Sequence, residues 1–502
     1  MIDMLPARAQ FASAYNETRP QVLWTTLPAD IDTPVGAMLK FGQERPFTAL
    51  LESVQGGATR GRYSFIALSP DLVWRCKGQR AEICRDVTGK TLCYTADDKP
   101  TLTSLRALMA ASRIALPEHL PPMAAGLIGY MGYDTIRLAE NIPDKNPDKL
   151  GIPDGMFMRP TVTIIFDNAK DVMTVVAAVY PQAGVDADAA YELAQKRILD
   201  VVASLEKPVP HVPPATSARF EEATSNMGRE GYHRMVNKAK EYILAGDIFQ
   251  VVPSQRLRVP FALPSFTLYR ALRRLNPSPF LFHLNFEGFS IVGSSPEILV
   301  RLRQGVVTIR PIAGTRRRGK NKDEDEALAK DLLSDPKELA EHLMLLDLGR
   351  NDVGRVCKPG TVRVTEQMVI EYYSHVMHIV SNVEGEIDPK FDAMDALMAG
   401  FPAGTVSGAP KIRAMEIIDE LENERRGFYG GAIGYLSANG EMDTCIALRT
   451  ALVKDGEVVI QAGGGVVADS DPEAEYQESN NKASALVRAA EEAIKFFAGG
   501  NG

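Results

Sequence analysis

Runs of β-branched and aromatic residues, each of strand length, recur through the first part of the chain. Residues 62–68, 161–166 and Val172–Val179 have this pattern, which is typical of β-strands. Residues 102–112 instead repeat their apolar positions at helical spacing. The pattern therefore predicts a mixed α and β arrangement for the N-terminal half.

A helix followed by a short strand is predicted in the middle of the chain. Its apolar positions recur at helical spacing and are Tyr232, Met235, Val236, Ala239, Tyr242 and Ile243. Gly246 can end the helix, because glycine readily adopts the left-handed conformation found at helix C-termini. Residues 249–252 then form the predicted strand.

Near the C-terminus, three strand-like segments are separated by turn sequences. The segments are residues 432–437, 444–453 and 457–462. Asn439-Gly440 and Asp455-Gly456 join them, and such pairs tolerate the positive φ angles of tight hairpins. We therefore predict a three-stranded antiparallel meander. A final helix should begin with Asp471 as N-cap and Pro472 in its first turn, and end near residues 499–500.

The clearest break in composition lies in residues 206–222, where four prolines fall close together among Ser, Thr and Ala. This mixture disfavours regular structure. With 502 residues, the chain should hold two or three domains or one large unit. We predict an N-terminal region over residues 1–205, a linker over residues 206–222 and a C-terminal domain over residues 223–502.

Charge narrows the classes of function. The chain has 56 Lys and Arg against 64 Asp and Glu, which gives a net charge of −8. This balance argues against a general nucleic-acid binder, because such proteins need a basic face. An anionic substrate would have to be held by local charge, a helix N-terminus or a metal ion.

The cysteines and the N-terminus favour a cytoplasmic protein without a membrane partner. The five cysteines are odd in number and lack CxxC spacing, so neither a zinc site nor a disulfide framework is expected. The first residues do not have the basic and apolar segments of a signal peptide. No run approaches the ~18 apolar residues of a membrane span.

A glycine-rich basic segment, residues 314–321, nearly fits the phosphate-binding loop G-x-x-x-x-G-K-[ST]. Asn321 replaces the hydroxyl residue that would bind Mg²⁺, and charged residues follow where an apolar helix should begin. Three interpretations stay open. The segment could bind a nucleotide, it could be a basic loop paired to nearby acids, or Gly314 and Thr315 could line a pocket while the arginines lie on a flap.

Two predicted helices each present a pair of carboxylates. In residues 335–347 the apolar face would comprise Leu339, Leu343 and Leu346. Glu338 and Glu341 then share another face, and Glu475 and Glu478 repeat the spacing in the last helix. Each pair could be a solvated face. Together they could hold Mg²⁺, with Arg449 and the backbone of residues 463–465 binding the other end of an anion.

Two further segments have weaker signals. Residues 401–411 form a small-residue loop that opens a helix, so its N–H groups could bind an anion, although it could equally be an ordinary turn. His378 lies in a strand-like run in which alternation places it on one face with Val376 and Val380. A strand histidine of this kind is either a hydrogen-bonded structural residue or a catalytic one.

Several motifs, in the same order along the chain, resemble those of the chorismate-utilising enzymes. They are residues 311–315, the segment 338–352 that ends in Arg350-Asn351-Asp352, His378, residues 404–411, Tyr429-Gly430-Gly431 and residues 461–465. The resemblance covers essentially the whole chain. It implies a complex α/β (α+β) fold in which two facing, mostly antiparallel sheets have helices outside.

The resemblance also implies roles for individual residues. Glu341 and Glu478 resemble the Mg²⁺ ligands of the family, with Glu338 and Glu475 close by. The residues that resemble chorismate contacts are Gly314, Thr315, Tyr429, Arg449, Gly463, Gly464 and Gly465. The residues that resemble catalytic positions are Glu297, His378, Gln250 and Thr405. Glu297 corresponds to the acid that protonates the departing ring hydroxyl, and His378 to the residue associated with pyruvate elimination.

Two positions indicate a branch of the family. Gln250 stands where the water-adding isochorismate and salicylate synthases have a lysine base, which implies that ammonia is the nucleophile. Ala313 stands where aminodeoxychorismate synthases have a nucleophilic lysine. The implied reaction aminates chorismate and eliminates pyruvate, the first committed step of L-tryptophan biosynthesis. An aminodeoxychorismate synthase component and an inactive tryptophan-sensing protein are the alternatives.

A partner and an inhibitor are implied as well. None of the five cysteines lies in the Gly-x-Cys-x-Gly turn of the related glutaminases, so a separate glutaminase subunit would supply ammonia, usually in a heterotetramer. The N-terminal region would contact this subunit and regulate the enzyme. Residues 50–53 resemble a tryptophan-sensing motif, and the implied inhibitor contacts are Glu52, Ser53, Pro279, Phe280 and Leu281. The family often has Tyr and Met at the last two positions.

Overall fold

The computed structural model describes residues 2–55, 59–89, 91–210, 219–373 and 376–497. The helices are α1 (Arg8–Asn16), α2 (Pro34–Phe41), α3 (Thr101–Ala111), α4 (Ala187–Leu205), α5 (Gly228–Leu244), α6 (Ser265–Leu275), α7 (Lys322–Ser334), α8 (Pro336–Gly354), α9 (Ala393–Gly400), α10 (Lys411–Leu421) and α11 (Pro472–Phe497). Short 3₁₀ helices lie at Pro122–Ala124, Tyr133–Leu138 and Gly404–Val406.

The strands of the N-terminal part are β1 (Gln21–Pro28), β2 (Thr48–Glu52), β3 (Val54–Gln55), β4 (Thr59–Arg60), β5 (Tyr63–Lys77), β6 (Arg80–Cys84), β7 (Tyr94–Asp97), β8 (Gly126–Met131), β9 (Gly155–Asp167) and β10 (Val172–Val179). Those that follow are β11 (Thr224–Ser225), β12 (Gln250–Val251), β13 (Ser254–Pro260), β14 (Phe280–Asn285), β15 (Phe289–Ser295), β16 (Ile298–Arg303), β17 (Val306–Ile309), β18 (Ile312–Arg317), β19 (Arg363–Tyr372), β20 (Val376–Glu386), β21 (Gly408–Ala409), β22 (Ala432–Ser437), β23 (Met442–Ile446), β24 (Thr450–Lys454) and β25 (Glu457–Gly463).

Most of the strands form two antiparallel sheets that share the long strands β5 and β9, while β3 pairs with β4 and β12 with β21 in separate two-stranded sheets. The first sheet has the order β1-β10-β9-β5-β2-β14-β15-β24-β25-β13-β11. The second has the order β7-β6-β5-β9-β8-β22-β23-β16-β17-β20, and β18 and β19 also pair with β20. The register between β5 and β9 shifts after Pro70, where β5 passes from one sheet to the other.

The buried clusters show that the two sheets face each other. Ala49, Phe282 and Ile291 of the first sheet pack in one core with Tyr130 and Ile433 of the second. The outer face of the first sheet is covered by α1, α2, α4, α6 and α11. The outer face of the second sheet is covered by α3, α8, α9 and α10. The predicted fold class, two facing and mostly antiparallel sheets with helices outside, is confirmed.

Local signals predicted many element boundaries correctly. Strands β10 and β22 coincide with the predicted segments. Asp471 caps α11 through a bond from the Ala474 N–H to its carboxylate, at 2.9 Å, and Pro472 is the first helical residue. Asp455 and Gly456 both have positive φ angles in the β24–β25 turn. The predicted end of α11 near residues 499–500 lies outside the described residues.

The predicted three-stranded meander is wrong. Residues 444–453 form two strands, because β23 pairs with β22 and β16 in the second sheet whereas β24 pairs with β15 and β25 in the first. The chain crosses between the sheets at residues 447–449, where Arg449 has a φ angle of 48°. The run is mostly apolar on both sides of Arg449 because both strands are buried, so its pattern does not show that the chain changes sheets.

The predicted core face of α8 is also partly wrong. Leu346 is buried and Leu339 is partly buried, but the side chain of Leu343 is 53 % exposed. His342 and Leu345 take its place in the interior. The helix packs against β18 and β20, so its buried face is rotated toward those strands.

Both sheets contain strands from the two sides of the predicted domain boundary. Strand β2 pairs with β14, and β8 pairs with β22. Helix α4 ends at Leu205 and β11 begins at Thr224, while residues 211–218 of the linker lie outside the described residues. The division into a regulatory region and a catalytic domain stays a prediction. None of the helices in the described ranges is long and apolar enough to cross a membrane.

Candidate active site

Glu297 is a buried carboxylic acid in the turn between β15 and β16. Its backbone oxygen accepts a bond from the Ile446 N–H at 3.1 Å, which fixes the turn to the end of β23. The Thr405 hydroxyl donates to its carboxylate at 3.4 Å. Burial raises the pKa of Glu297 to about 8, although Thr405, the Ile312 backbone and Arg449 oppose the shift. The side chain therefore holds its proton at neutral pH.

Arg449 lies at the crossover between the sheets, close enough to Glu297 to affect its pKa. The Ser294 N–H donates to its carbonyl at 3.1 Å, which holds the unusual backbone conformation. The side chain is partly buried, and within the described residues no carboxylate forms an ion pair with it. Burial lowers the pKa of Arg449. A buried cation without a protein anion suits an anionic ligand.

His378 lies on β20 beside the start of β18. Its Nδ1 lies 2.9 Å from the Gly314 carbonyl and 3.1 Å from the Thr315 hydroxyl. The carbonyl only accepts, so Nδ1 carries the proton and Nε2 is left as an acceptor in the neutral ring. Burial lowers the pKa of His378 to about 4, which keeps the ring neutral at pH 7. The ring of Tyr373 packs edge-on against it, with the centroids 5.3 Å apart.

Gln250, Glu341 and the glycine turn that follows β25 come together from three elements. The Gln250 amide donates to Glu341 at 3.0 Å. Val251 and Val466 exchange two backbone hydrogen bonds, which fix the turn beside β12. A Cβ on Gly465 would lie 2.3 Å from Gln250 Nε2 and 3.7 Å from Glu341 Oε1, so a larger residue here would displace the Gln250 amide. The Gln250 carbonyl oxygen is buried without a hydrogen-bond partner.

The carboxylates of α11 approach the same turn from the other side. A Cβ on Gly464 would lie 2.7 Å from Glu475 Oε2, an oxygen that is buried and unpartnered. The Ser470 hydroxyl donates to the other oxygen at 2.6 Å. Burial raises the pKa of Glu475. Glu478 is half-exposed and pairs with Lys482 at 2.7 Å, and Lys482 also donates to the Gly463 carbonyl at 3.1 Å.

Glu338 lies on the opposite side of the site, against β18. A Cβ on Gly314, which has a φ angle of 70°, would lie 3.2 Å from Glu338 Oε2. Arg316 donates to the other oxygen at 3.2 Å. Burial raises the pKa of Glu338, and Arg316 opposes this shift.

The arginines of the predicted glycine-rich loop are all ion-paired. Arg316 contacts Asp331 and Asp335, while Arg317 pairs with Glu324 and Arg318 with Asp325. Asn321 caps α7. This arrangement favours the interpretation of a basic loop paired to nearby acids.

The chemistry of the donor set fits a divalent cation. Within the described ranges no three His, Cys, Asp or Glu side chains are close enough to hold a metal ion together. Glu341 and Glu475 nevertheless border adjacent glycines of one turn, and Glu475 has an orphaned buried oxygen. All the donors are carboxylate oxygens, which are the hard ligands that Mg²⁺ prefers. A protein usually binds Mg²⁺ through only one or two carboxylates.

Tyr429 forms a wall of the site beneath the glycine turn. Its side chain is buried, and burial raises the pKa of its hydroxyl to about 12. The backbone of Gly463 hydrogen-bonds the hydroxyl group. The structure therefore brings together the predicted residues of β12, β18, β20, β25, α8 and α11 and of the loops at Glu297, Thr405, Tyr429 and Arg449.

The predicted inhibitor contacts lie elsewhere, in a cleft between the two sheets. Ser53, Pro279, Phe280 and Leu281 line a cavity of about 1080 Å³ together with Glu52. The carboxylate of Glu52 is already engaged, because Tyr269 donates to it at 2.5 Å and Arg273 at 2.6 and 2.9 Å. Glu52 therefore ties β2 to α6, and Ser53 is the more accessible polar group.

Sequence reasoning missed several residues that shape the site. Tyr373 contacts His378, and Lys482 pairs with Glu478. A buried ion pair of Arg426 and Glu422 lies behind Tyr429. The Glu422–Arg426 pair has the i,i+4 spacing of an ion pair directly before Gly427, which is a readable signal. Lys482 has the same i,i+4 spacing from Glu478 in α11, whereas no local pattern marks Tyr373.

Known proteins resemble this chain over almost its whole length. The model of the chorismate binding enzyme family matches residues 69–488. The chain belongs to the chorismate-binding enzyme family. Anthranilate synthase component 1 of Cereibacter sphaeroides is 58% identical over 491 residues, which are 97% of each chain. The same component of Aquifex aeolicus is 46% identical over 93% of this chain and 94% of its own length.

Solved structures of the family have the same fold. Anthranilate synthase component I from Streptococcus pneumoniae superposes with a TM-score of 0.73 at 38% identity, covering 85% of this chain and 92% of that one. The menaquinone-specific isochorismate synthase of Escherichia coli superposes with a TM-score of 0.70. Its identity is 20% over 97% of this chain and 99% of that chain, so it bears on the fold alone.

Proposed function

We propose that the chain is the large component of an anthranilate synthase, which converts chorismate and ammonia to anthranilate and pyruvate. The observation that carries the proposal is the buried carboxyl group of Glu297, which the Thr405 hydroxyl contacts, near Arg449, which has no ion-pair partner among the described residues. Gln250 supports ammonia as the nucleophile, because an amide cannot deprotonate water as a lysine base would. The long relatives that bear the name anthranilate synthase component 1 support this assignment.

Chorismate is a dianion, and two groups of donors suit its two carboxylates. Arg449 offers a guanidinium fork for one of them, with the N–H groups of the Gly463–Gly465 turn beside it. Glu341, Glu478, Glu338 and Glu475 are the residues that would hold Mg²⁺ near the other carboxylate. When bound, Mg²⁺ neutralises this carboxylate of chorismate, which the four acidic side chains would otherwise repel.

Glu297 supplies the proton for the first step. Ammonia forms a carbon–nitrogen bond to the ring, and the ring hydroxyl leaves as water after it takes the Glu297 proton. A carboxylic acid with an ordinary pKa would be ionised at pH 7 and could not donate. Burial of Glu297 is therefore part of its function.

His378 serves the second step, in which the aminated ring loses pyruvate. Its neutral Nε2 can accept a ring proton while the enolpyruvyl C–O bond breaks and the ring becomes aromatic. The Gly314 carbonyl and the Thr315 hydroxyl orient the imidazole through Nδ1. Loss of this orientation would leave the wrong nitrogen protonated.

We further propose that a separate glutaminase subunit supplies ammonia and that tryptophan inhibits the enzyme from the inter-sheet cleft. The five cysteines lack the setting of a glutaminase nucleophile. The cleft has an apolar wall of Phe280 and Leu281 and a hydroxyl at Ser53, which suits an indole with a polar end. The reaction would be the first committed step of tryptophan biosynthesis.

The test is product analysis of the purified chain with chorismate, Mg²⁺ and ammonium at mildly alkaline pH. We expect anthranilate and pyruvate in equal amounts, with loss of both products in EDTA and lower yields of both in the Glu341→Gln variant at limiting Mg²⁺. Glutamine in place of ammonium should give no product without a glutaminase subunit.

Other outcomes identify the alternatives. An aminated product that keeps its enolpyruvyl group would indicate an aminodeoxychorismate synthase component. Binding of tryptophan without consumption of chorismate would indicate a sensing protein.

A further inference from the structure

A buried arginine lies directly behind the candidate active site. Arg426 is only 2 % exposed, yet its guanidinium donates to the carbonyls of Val406 at 2.5 Å and Val252 at 2.6 Å. It also donates to both oxygens of Glu422, at distances between 2.6 and 3.1 Å. One planar cation therefore joins two separate loops and a carboxylate.

Each loop held by Arg426 carries a candidate catalytic residue. Val252 follows Gln250 by two positions, and Val406 follows Thr405, whose hydroxyl contacts Glu297. The Val252 N–H also donates to the Ser407 carbonyl at 3.0 Å, so the two loops are directly connected. The β12–β21 pairing of Gln250 with Ala409 continues this connection, so Gln250 and Thr405 lie on two hydrogen-bonded segments.

Glu422 extends the same network to the glycine turn. One of its oxygens accepts from the Ser254 N–H at 2.9 Å and from the Ser254 hydroxyl at 2.7 Å. Ser254 lies opposite Gly463 in the β13–β25 register. The ring centroid of Tyr429 lies 5.4 Å from the Arg426 guanidinium carbon. Four site segments thus converge on one ion pair.

Stability alone does not explain a pair of this kind. Buried ion pairs often contribute little net free energy, because desolvation offsets the attraction between the charges. The fork geometry of arginine does, however, fix several acceptors at once, which a lysine cannot do. Geometric precision is valuable here, because a displacement of 1 Å at a reacting centre can cost about 100-fold in rate.

We propose that Arg426, together with Glu422, is a positioning residue that fixes Gln250 relative to Thr405 and Glu297 for the amination step. Arg426 contacts none of the candidate reacting groups and acts through the backbone of the two loops. The kinetic part of this inference rests on the proposed function.

The first test compares Arg426→Lys with Arg159→Lys. Arg159 is a matched control, because it is buried on β9 and makes a two-point contact with Asp71 at 2.7 and 2.8 Å, remote from the site. With ammonium as nitrogen source, Arg426→Lys should lower kcat about 100-fold while KM for chorismate changes less than threefold. Arg159→Lys should keep kcat and lose a similar amount of thermal stability.

Hydrogen exchange gives a second readout that does not depend on product formation. In Arg426→Lys, the amides of Val251, Val252 and Ser407 should exchange at least tenfold faster than in the intact chain, while those of β10 keep their rate. Ser254→Ala is a milder change that can be used if Arg426→Lys does not fold. It should show the same exchange pattern with a smaller effect on kcat.

The outcomes separate the proposals. A normal kcat and normal exchange in folded Arg426→Lys would overturn the positioning role. A decrease in kcat in Arg159→Lys as large as that in Arg426→Lys would also overturn it. If the intact chain forms no anthranilate, the proposed function fails, while the exchange comparison still decides whether Arg426 holds the two loops.

Discussion

The two polar regions of this protein differ in how their charges are satisfied. In the inter-sheet cleft, every lining arginine has an acidic partner: Arg62 pairs with Asp167, Arg301 and Arg303 with Asp443, and Arg310 with Glu366 and Glu371. At the other region, Arg449 has no ion-pair partner in the part of the chain that the structure describes, and oxygens of Gln250 and Glu475 are buried without hydrogen bonds.

One oxygen of Asp443 in the cleft is also buried without a hydrogen bond, so the difference between the two regions lies in their arginines. The cleft arginines are neutralised by acidic side chains of the protein, whereas the charge of Arg449 suits an anionic ligand. The chemistry is therefore expected at Arg449 and Glu297, and the cleft is expected to bind a ligand without reacting with it.

The largest effect is expected from Glu297→Gln. Loss of the proton donor should lower kcat about 1000-fold, with KM for chorismate nearly unchanged, because glutamine has the same shape but no acidic proton. Steady-state kinetics with ammonium would measure this. A decrease of less than tenfold would remove Glu297 from the reaction.

The same residue predicts a pH dependence. Because the pKa of Glu297 is about 8, kcat/KM should fall about tenfold per pH unit above pH 8 as the proton is lost. Between its unfolded pKa near 4.5 and pH 8, only the folded chain keeps the proton, so the stability of the intact chain decreases as pH rises. Glu297→Gln lacks this proton, so its unfolding temperature relative to that of the intact chain should rise from pH 5 to pH 8.

Next in size is the contrast between Arg449→Met and Arg301→Met. Arg449→Met should raise KM for chorismate about 100-fold without lowering stability, because it removes a partly buried cation that has no ion-pair partner among the described residues. Arg301→Met leaves Asp443 with a longer contact to Arg303 and should lower the free energy of unfolding by about 1–3 kcal/mol. Its KM should stay unchanged. Equal behaviour of the two variants would contradict the comparison.

A smaller difference is expected between Glu341→Gln and Glu338→Gln. Glu338 is partly neutralised by Arg316, whereas Glu341 has no cationic partner among the described residues and accepts an amide hydrogen bond from Gln250. Glu341→Gln should therefore raise the Mg²⁺ concentration for half-maximal activity by about tenfold, and Glu338→Gln by less. Titration of activity with Mg²⁺ would measure both variants. The reverse order would show that Glu338 is the principal ligand.

The smallest effect on catalysis is expected from Ser53→Ala in the cleft. Loss of one hydroxyl contact should raise the tryptophan concentration for half-inhibition about tenfold, with kcat unchanged. Inhibition curves at fixed chorismate would measure this. A lower kcat without altered inhibition would place Ser53 in the catalytic machinery instead.

Local sequence signals predicted what depends on neighbouring residues. The Asp471 cap, the Asp455-Gly456 turn and strand β10 are each specified within a few positions. The crossover at Arg449 is not, because β23 and β24 choose strand partners more than a hundred residues away in the chain. The engagement of Glu52 by Arg273 likewise depends on packing between β2 and α6.

For the candidate site too, the sequence predicted local features but not those that depend on packing between distant elements. The motifs indicated which residues belong together, and the resemblance to a known family supplied their roles. Neither indicated that Glu475 would be buried with an unpaired oxygen, since this depends on how α11 lies against the glycine turn. The ion pair of Glu478 and Lys482, by contrast, has the i,i+4 spacing of a helix and could be read from the sequence.

The most direct test is a crystal structure of Glu297→Gln with chorismate and Mg²⁺, because the slow variant should retain intact substrate. The account predicts one carboxylate of chorismate on Arg449, the ring beside residue 297, and the metal ion between α8 and α11. Chorismate bound in the inter-sheet cleft beside Ser53, with Arg449 still unpaired, would contradict it.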